Sequence, residues 1–330
     1  MMSDMAMPTI RFDLRLPEFA TTTRDAQYAA ALEQAAWAEQ HGFATAVLSE
    51  HHGTDDGYVS SPLVMAAAIA ARTSTIHITI SALLVPLHNP LRLAEDIASV
   101  DIISRGRLAI VAGLGYRVEE FEMFGIDRSK RGRILEENIE VMRKAWTGEE
   151  FEYQGRPAKV TPTPFTKPHP LLFIGGSTEI AARRAARLNL PMFPAIGDPA
   201  LVDIYNDECA KVGYQGWIML PHGPGFVHVT EDPEKAWAQI GPHALFDAET
   251  YSAWQTPGQR SNVHVKAQTV DDVKASGVYR IVTPDECVQL IDELGPTGAL
   301  CFHPLMGGMD PDLGWESLEL YATKVLPRLS

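Results

Sequence analysis

The chain has only three cysteines, Cys209, Cys287 and Cys301, with no C-x-x-C spacing among them. An odd, unpatterned set excludes a disulfide scaffold and fits a reducing cytoplasm, where the protein is expected to reside. Basic clusters are missing too: no run of five or more Lys or Arg occurs, and the formal net charge is -14. That balance excludes recognition of nucleic acid through its phosphates and docking on anionic lipid, both of which need grouped cations. No segment approaches the roughly 18 apolar residues that a membrane helix requires. The opening MMSDMAMPTI has no basic stretch leading into an apolar one, so no secretory leader is expected and residues 1–8 read as a loose tail. Signatures of covalent catalysis and nucleotide binding are also lacking: there is no G-x-S-x-G and no G-x-x-x-x-G-K-[ST]. The first apolar run, IRFDLRL, is followed by Pro17-Glu18-Phe19 where a dinucleotide fold would place Gly-x-Gly. It also carries no His-x-His pair of the kind used by metal-dependent barrels, and no metal site is expected. With no nucleophile and no metal set, the chemistry is expected to come from an organic cofactor.

What is present is a regular alternation. Short apolar runs (IRFDLRL, TAVLSE, IHITISALLV, RLAIVAGLG, PLLFIGG, LPMFPAI, GFVHVT, GALCFHPL) are separated by segments of helical period. Residues 25–41 form one such segment, with Gly42 placed as the glycine that follows a helix. Asn89-Pro90 reads as the cap and first residue of a helix to about residue 104. Residues 133–146 carry Leu135, Ile139, Met142 and Trp146 on one face, and STEIAARRAARL follows the fifth run directly. Eight strands joined through helices pair in parallel, and eight such units close as a (β/α)8 barrel, an α/β fold. An open doubly wound sheet is the alternative. Residues 1–330 read as a single domain. The stretch 220–283, about twice the length of a normal unit, reads as an insertion between strands 7 and 8 that forms a lid over the strand ends.

Three places carry candidate chemistry. AVLSEHHGTDDG brings Glu50, His51 and His52 to the end of the second run. Adjacent residues of a strand point to opposite faces, so two neighbouring histidines are poorly placed to share one metal ion. Acid–base work or an ordinary loop remain as readings. VAGLGYRVEEF places Gly113 and Gly115 at a strand end, where small residues let a flat ligand approach, although glycine-rich turns are common there. FIGGST ends a strand at Gly175 and Gly176 and caps a helix with Ser177 or Thr178. Free amides at such an N-terminus attract anions, but every helix also needs a cap. Arg133 opens the preceding helix and could add charge, and Gly307 and Gly308 after the last strand compete for the same role.

Taken together these motifs resemble the bacterial luciferase-like, flavin-dependent monooxygenase family. The resemblance is carried by AEQHGFATAVLSEHHG, SALLVPLHNPLRLAEDIASVDIISRGRLAIVAGLGYRVEEFEMFG, ILEENIEVMRKAWTGE, LLFIGGSTEIAARRAARL and HPLMGGMDPDLGWESLELYATKVLPRL, in that order. It implies a barrel, usually a homodimer, that takes reduced FMN from a separate NAD(P)H:flavin reductase. Oxygen adds to the reduced ring, and the resulting peroxide oxidises an organic substrate. A second branch implies a deazaflavin and hydride transfer without O2, and a third reading is a non-catalytic flavin-binding subunit. By the same resemblance His51 is the active-site histidine, and Ser81-Ala82 is a non-prolyl cis peptide under the flavin ring. Gly113 stands where luciferase has a reactive cysteine, so light emission is not expected. Leu114, Gly115, Tyr116, Arg133, Gly175, Gly176 and Ser177 surround the flavin phosphate. The implied substrate is a small or medium apolar molecule (an aldehyde, ketone, alkane-like or aromatic compound) walled by Trp217, Phe226, Phe246, Tyr251 and Trp254.

Overall fold

The computed structural model describes residues 5–256 and 258–329; positions 1–4 of the expected tail and Pro257 lie outside them. The chain opens with β1 (Met7–Phe12), α1 (Arg24–Gln40), β2 (Thr45–Leu48), α2 (Pro62–Arg72), β3 (His77–Leu83), α3 (Pro90–Ser104) and β4 (Leu108–Ala112). There follow α4 (Val118–Met123), α5 (Arg131–Ala145), β5 (Phe151–Tyr153), β6 (Arg156–Ala158), β7 (Leu171–Ile174), α6 (Glu179–Arg187) and α7 (Ala200–Val212). It closes with β8 (Phe226–Val229), α8 (Pro233–Trp254), α9 (Val270–Ala275), β9 (Tyr279–Val282), α10 (Pro284–Leu294), β10 (Ala299–Phe302) and α11 (Pro311–Leu320). The helices begin where side chains meet otherwise orphaned amides. Asn89 accepts from Leu91 and Arg92 N–H at 3.0 and 3.2 Å ahead of α3. Thr283 and Glu286 cap α10 reciprocally, with Pro284 at its first turn. Gly42 follows α1 with φ +76°.

Two compact units result. The first takes the described residues of Met1–Val47, Thr54–Val59 and Pro221–Ser330. Its strands run in the order β2-β1-β10-β8-β9. β1 pairs in parallel with β10, Thr9 opposite Cys301 and Ile10 opposite Phe302, and β8 pairs in parallel with β9. Phe302 packs against Phe43 and Tyr321, ring centroids 5.3 and 4.9 Å away. Arg15 is wholly buried. Its Nε donates to Asp56 at 2.6 Å and its Nη1 to Asp247 at 2.9 Å, and its guanidinium carbon lies 4.6 Å from the Phe246 ring centroid and 5.4 Å from that of Trp254.

The second unit takes Leu48–Gly53 and Ser60–Leu220. Its strands run β7-β4-β3, all parallel, with a register shift between Ser81 and Leu83. Arg107 is buried and ties the turn before β3 to α2. It donates to the carbonyls of Ser104, Ile76, Ala70 and Thr73 and to the Thr73 hydroxyl, so oxygen dipoles surround this charge.

Four expectations need correcting. Met7 and Pro8 belong to β1 rather than to a tail. LPMFPAI forms only isolated bridges, Met192 to Ile174 and to Ile218, because Pro191 and Pro194 cannot donate to a ladder. The helix expected from Arg133 already begins at Arg131. The stretch 220–283 is largely regular: it contains the seventh run itself, a further strand, β9, and the 22-residue α8, which accommodates Pro242. Gly241 and Pro242 disguise that helix in the sequence, since both residues disfavour a helix interior.

Removing the Arg15 guanidinium would strand two buried carboxylates. Arg15→Met is expected to lower the unfolding free energy by about 3–5 kcal/mol. Urea denaturation of wild type and variant at neutral pH measures it.

Candidate functional site

The second unit gathers its polar side chains where β2, β3 and β4 end. β2 runs out through Ser49 into Glu50, His51 and His52, all buried. Ser49 Oγ donates to the Ser81 carbonyl at 2.7 Å, and the Ser81–Ala82 peptide that follows is cis. β4 runs out into Gly113 and a turn through Gly115, φ +72°, before α4. A Cβ on Gly113 would lie 2.7 Å from the Cβ of Ala82, so the empty position is demanded by the neighbouring strand. Gly115 leaves room for the Phe121 ring, which a Cβ there would meet at 3.0 Å.

The two histidines are held by different glutamates. His51 Nδ1 lies 2.8 Å from Glu120 Oε1, and the same oxygen accepts the His52 N–H at 3.0 Å. Glu120 is fully buried on α4. A carboxylate on Nδ1 favours the tautomer with its proton there, which leaves Nε2 as an acceptor. Tyr116 Oη sits 3.3 Å from that Nε2. Arg117 directly precedes α4. It is buried, donates to the His52 carbonyl at 2.8 Å and lies 3.6 Å from Glu120.

His52 Nε2 meets Glu50 Oε1 at 2.8 Å, and His88 Nε2 meets the same oxygen at 2.7 Å. Glu50 Oε2 accepts the Leu84 N–H at 2.5 Å. Burial alone would raise the Glu50 carboxyl, but the hydrogen bonds from His52, His88 and Leu84 hold it down at about 2. Glu50, His52 and His88 are also the group, among the described residues, whose possible metal-ligand atoms lie within 4.8 Å of one another. Their separations of 2.7–2.8 Å are hydrogen-bond lengths. The trio is therefore a hydrogen-bonded hub, Glu50 and His52 buried and His88 half-buried, that pins the loop after β2 to the segment after β3.

β7 ends at Gly175 and Gly176. The Gly175 N–H donates to the Ala112 carbonyl at 3.0 Å and belongs to the ladder with β4. Gly176 has φ +121°, Ser177 is buried, and Thr178 caps α6. Arg133 does not reach this loop: its side chain is 67% exposed and pairs with Glu137 at 3.4 Å one turn along α5. Two cations stand together, Arg131 at the start of α5 and Arg184 of α6, whose Nη2 lies 2.8 Å from where a Cβ on Gly132 would be. Arg184 pairs with Glu136 at 2.6 Å, and the Arg131 Nε is buried without a partner. Burial, together with repulsion from Arg128 and Arg184, lowers the Arg131 pKa.

A family model described as luciferase-like monooxygenase matches residues 12–300. The chain belongs to the luciferase-like monooxygenase family. An uncharacterized protein of Sinorhizobium fredii is 35% identical over 161 residues, 47% of this chain and 46% of that protein, so the match spans about half of the relative's length. The alkanal monooxygenase alpha chain of the Kryptophanaron alfredi symbiont is 24% identical over 322 residues, 88% of this chain and 90% of that one. A monooxygenase from Streptomyces bottropensis superposes with a TM-score of 0.76 at 22% identity, covering 98% of this chain and 100% of its own. The FMN-bound oxygenating constituent of 3,6-diketocamphane monooxygenase from Pseudomonas putida reaches 0.68 at 17%, with 98% of both chains covered. An F420-dependent secondary alcohol dehydrogenase reaches 0.68 at 16%, covering 99% of this chain and 100% of its own. The luciferase-like α/β barrel fold is thus that of this chain. No helix among the described residues is long and apolar enough to cross a membrane.

The residues suit a phosphate-tailed ring on one observation in particular: Arg131 stands among the cations Arg128 and Arg184, a grouping that an anionic group would relieve. Sequence reasoning missed Arg131, Glu120 and the Glu50 hub. Glu120 stands in VEEF beside Glu119, and only the turn of α4 tells which of the two is buried.

Because the Glu50 carboxyl is depressed from 4.5 to about 2, it adds stability that is complete above about pH 4.5 and is lost as pH falls toward 2. The contribution is on the order of 3 kcal/mol. Glu50→Gln is expected to destabilise the protein at pH 6, with the gap to wild type narrowed at pH 3; urea unfolding at the two pH values reads it.

Proposed function

We propose that the protein is a flavin-dependent monooxygenase. In this reading it takes reduced FMN from a separate NAD(P)H:flavin reductase and uses O2 to oxidise a small or medium organic substrate. The observation that carries the reading is the His51–Glu120 pair, buried beside the Ser81–Ala82 peptide and the glycine exit of β4. Reduced FMN, when bound, supplies the electrons that activate O2. His51 Nε2 is the chain's proton acceptor or donor toward the reacting atoms, its tautomer held by Glu120, with Tyr116 as its hydroxyl neighbour. Ser81, Ala82, Gly113 and Leu114 form the shelf for the ring. Val111 and Phe173, buried behind Ala82, back that shelf with apolar surface and keep water from it. Gly115 and Tyr116 stand at its edge. Gly175 shapes the turn, and Gly176, Ser177 and Arg131 hold the phosphate; Arg131 takes the part first expected of Arg133. Residues 1–330 are read as one catalytic domain with 220–283 serving the substrate, and the working form as a cytoplasmic homodimer.

A deazaflavin in place of FMN, with hydride transfer and no O2, is the second reading, favoured by the F420-dependent neighbour at the same TM-score as the FMN-bound one. A purely accessory flavin-binding subunit has less support, since it would have no use for a histidine held by a buried carboxylate.

Titration with FMN and with deazaflavin, followed by oxygen uptake with reduced FMN, separates the readings. FMN binding with substrate-stimulated uptake is expected, and His51→Ala should cut turnover by about 10²–10⁴-fold with FMN affinity nearly unchanged. Deazaflavin binding alone, without uptake, would exclude the monooxygenase.

The phosphate assignment has its own check. Arg131→Gln is expected to weaken FMN binding about tenfold or more while sparing riboflavin, the cost of one charged hydrogen bond. Arg133→Gln should change neither affinity in a fluorescence titration.

A further inference from the structure

His51 is only 6% exposed, and both of its ring nitrogens are engaged within the second unit. Nδ1 faces Glu120 Oε1 at 2.8 Å, and that oxygen already accepts the His52 N–H at 3.0 Å, so the proton between them belongs to Nδ1. Nε2 is then an acceptor, and the Tyr116 hydroxyl 3.3 Å away donates to it. The two rings meet edge to face, with centroids 5.5 Å apart and planes at 73°. Tyr116 itself keeps partial exposure. Its backbone is held in place: Gly115 turns the chain just before it with φ +72°, and Arg128 Nε donates to its carbonyl at 3.1 Å.

Carboxylate, imidazole and hydroxyl therefore form one chain of hydrogen bonds, the most deeply buried member first and the most exposed last. This order is the one in which an oriented base activates a hydroxyl. A phenol parts with its proton reluctantly in water, and an imidazole at its side lets it pass one on. Of the three groups, the phenol has surface to offer an arriving molecule.

We propose that Tyr116 is a catalytic residue of this site: its hydroxyl meets the reacting molecule, and His51 works through it as the base of a Glu120–His51–Tyr116 relay. As Tyr116 Oη takes a proton from the reacting group, its own proton moves to His51 Nε2, and the Glu120 carboxylate balances the imidazolium so formed. Run in reverse, the relay delivers a proton. The phenol ends each passage neutral, and no electrons change hands. The proposal rests on the monooxygenase reading only for calling the arriving molecule substrate or cofactor; the relay stands on the chain's own geometry.

Acetylation of the full chain by N-acetylimidazole tests the relay without flavin or oxygen. The bond from Tyr116 Oη to the acetyl carbon forms, the acetyl–imidazole bond breaks, and the phenol proton passes through His51 Nε2 to the departing imidazole. Peptide mass mapping follows Tyr116 beside the exposed Tyr28 as internal reference. Tyr116 is expected to react in the wild type, and His51→Gln to slow it about 10²-fold or more while Tyr28 is unchanged. A wild type acetylated at Tyr28 but not at Tyr116 overturns the proposal, and that result needs no variant to fold. A His51→Gln protein whose Tyr116 reacts at the wild-type rate overturns it as well. In oxygen uptake with reduced FMN, Tyr116→Phe should lose as much as His51→Ala, and the double variant no more. Additive losses, or a Tyr116→Phe protein that loses affinity for FMN but not riboflavin, would make Tyr116 a cofactor ligand instead. A wild type that is acetylated as expected but takes up no oxygen fails the monooxygenase reading alone.

Discussion

The site depends on a property of extended backbone: neighbouring side chains diverge, so two consecutive histidines cannot lean on one support. Glu120 serves His51 and Glu50 serves His52, each from a buried position. Glu120 also accepts the amide between the two rings, so one carboxylate sets both the direction of His51 and the path of the chain past it. Glu50 draws in His88 and the Leu84 amide and locks the exit of β3 to the exit of β2. Without these anchors the loop would be a short polar segment free to sample many conformations, and a histidine meant to meet a reacting atom would do so only part of the time.

Charge is managed in three ways in this acidic chain. Arg107 is surrounded by carbonyl dipoles, and Arg15 is paired with two aspartates inside an aromatic enclosure. Arg131 stands beside the cations Arg128 and Arg184. The first two belong to architecture, since every donor close to a neighbour serves to fix a turn or a helix. Crowding of like charge around Arg131, and not the unpartnered nitrogen that Arg15 shows as well, is what fits an anionic group there.

Much of this was legible in the sequence, and the parts that were not share a cause. The strands at 45–48, 77–83, 108–112 and 299–302 were marked by β-branched and apolar runs, and α3 by Asn89-Pro90. LPMFPAI has the apolarity of a strand but not its donors, and a hydrophobicity pattern cannot see that two prolines remove the ladder. α8 was hidden by the opposite error, two helix-disfavouring residues tolerated by tertiary packing, where Gly241 meets Val270. At the site, His51 and the glycines could be named from motifs because they are local. Glu120 is 69 positions from His51, and Arg131 differs from Arg133 only by the face of α5 on which it falls. Pairings of that kind become visible only when the elements are assembled.

The contact between Gly113 and Ala82 reaches beyond the site. Position 113 is sterically owned by a methyl group on the next strand. Any lineage or designer wishing to install a side chain at 113 must first shrink residue 82 to glycine, and would loosen a tight crossing of two strands in doing so. The two sites are bound to change as a couple, and the order of the changes matters: small first, large second.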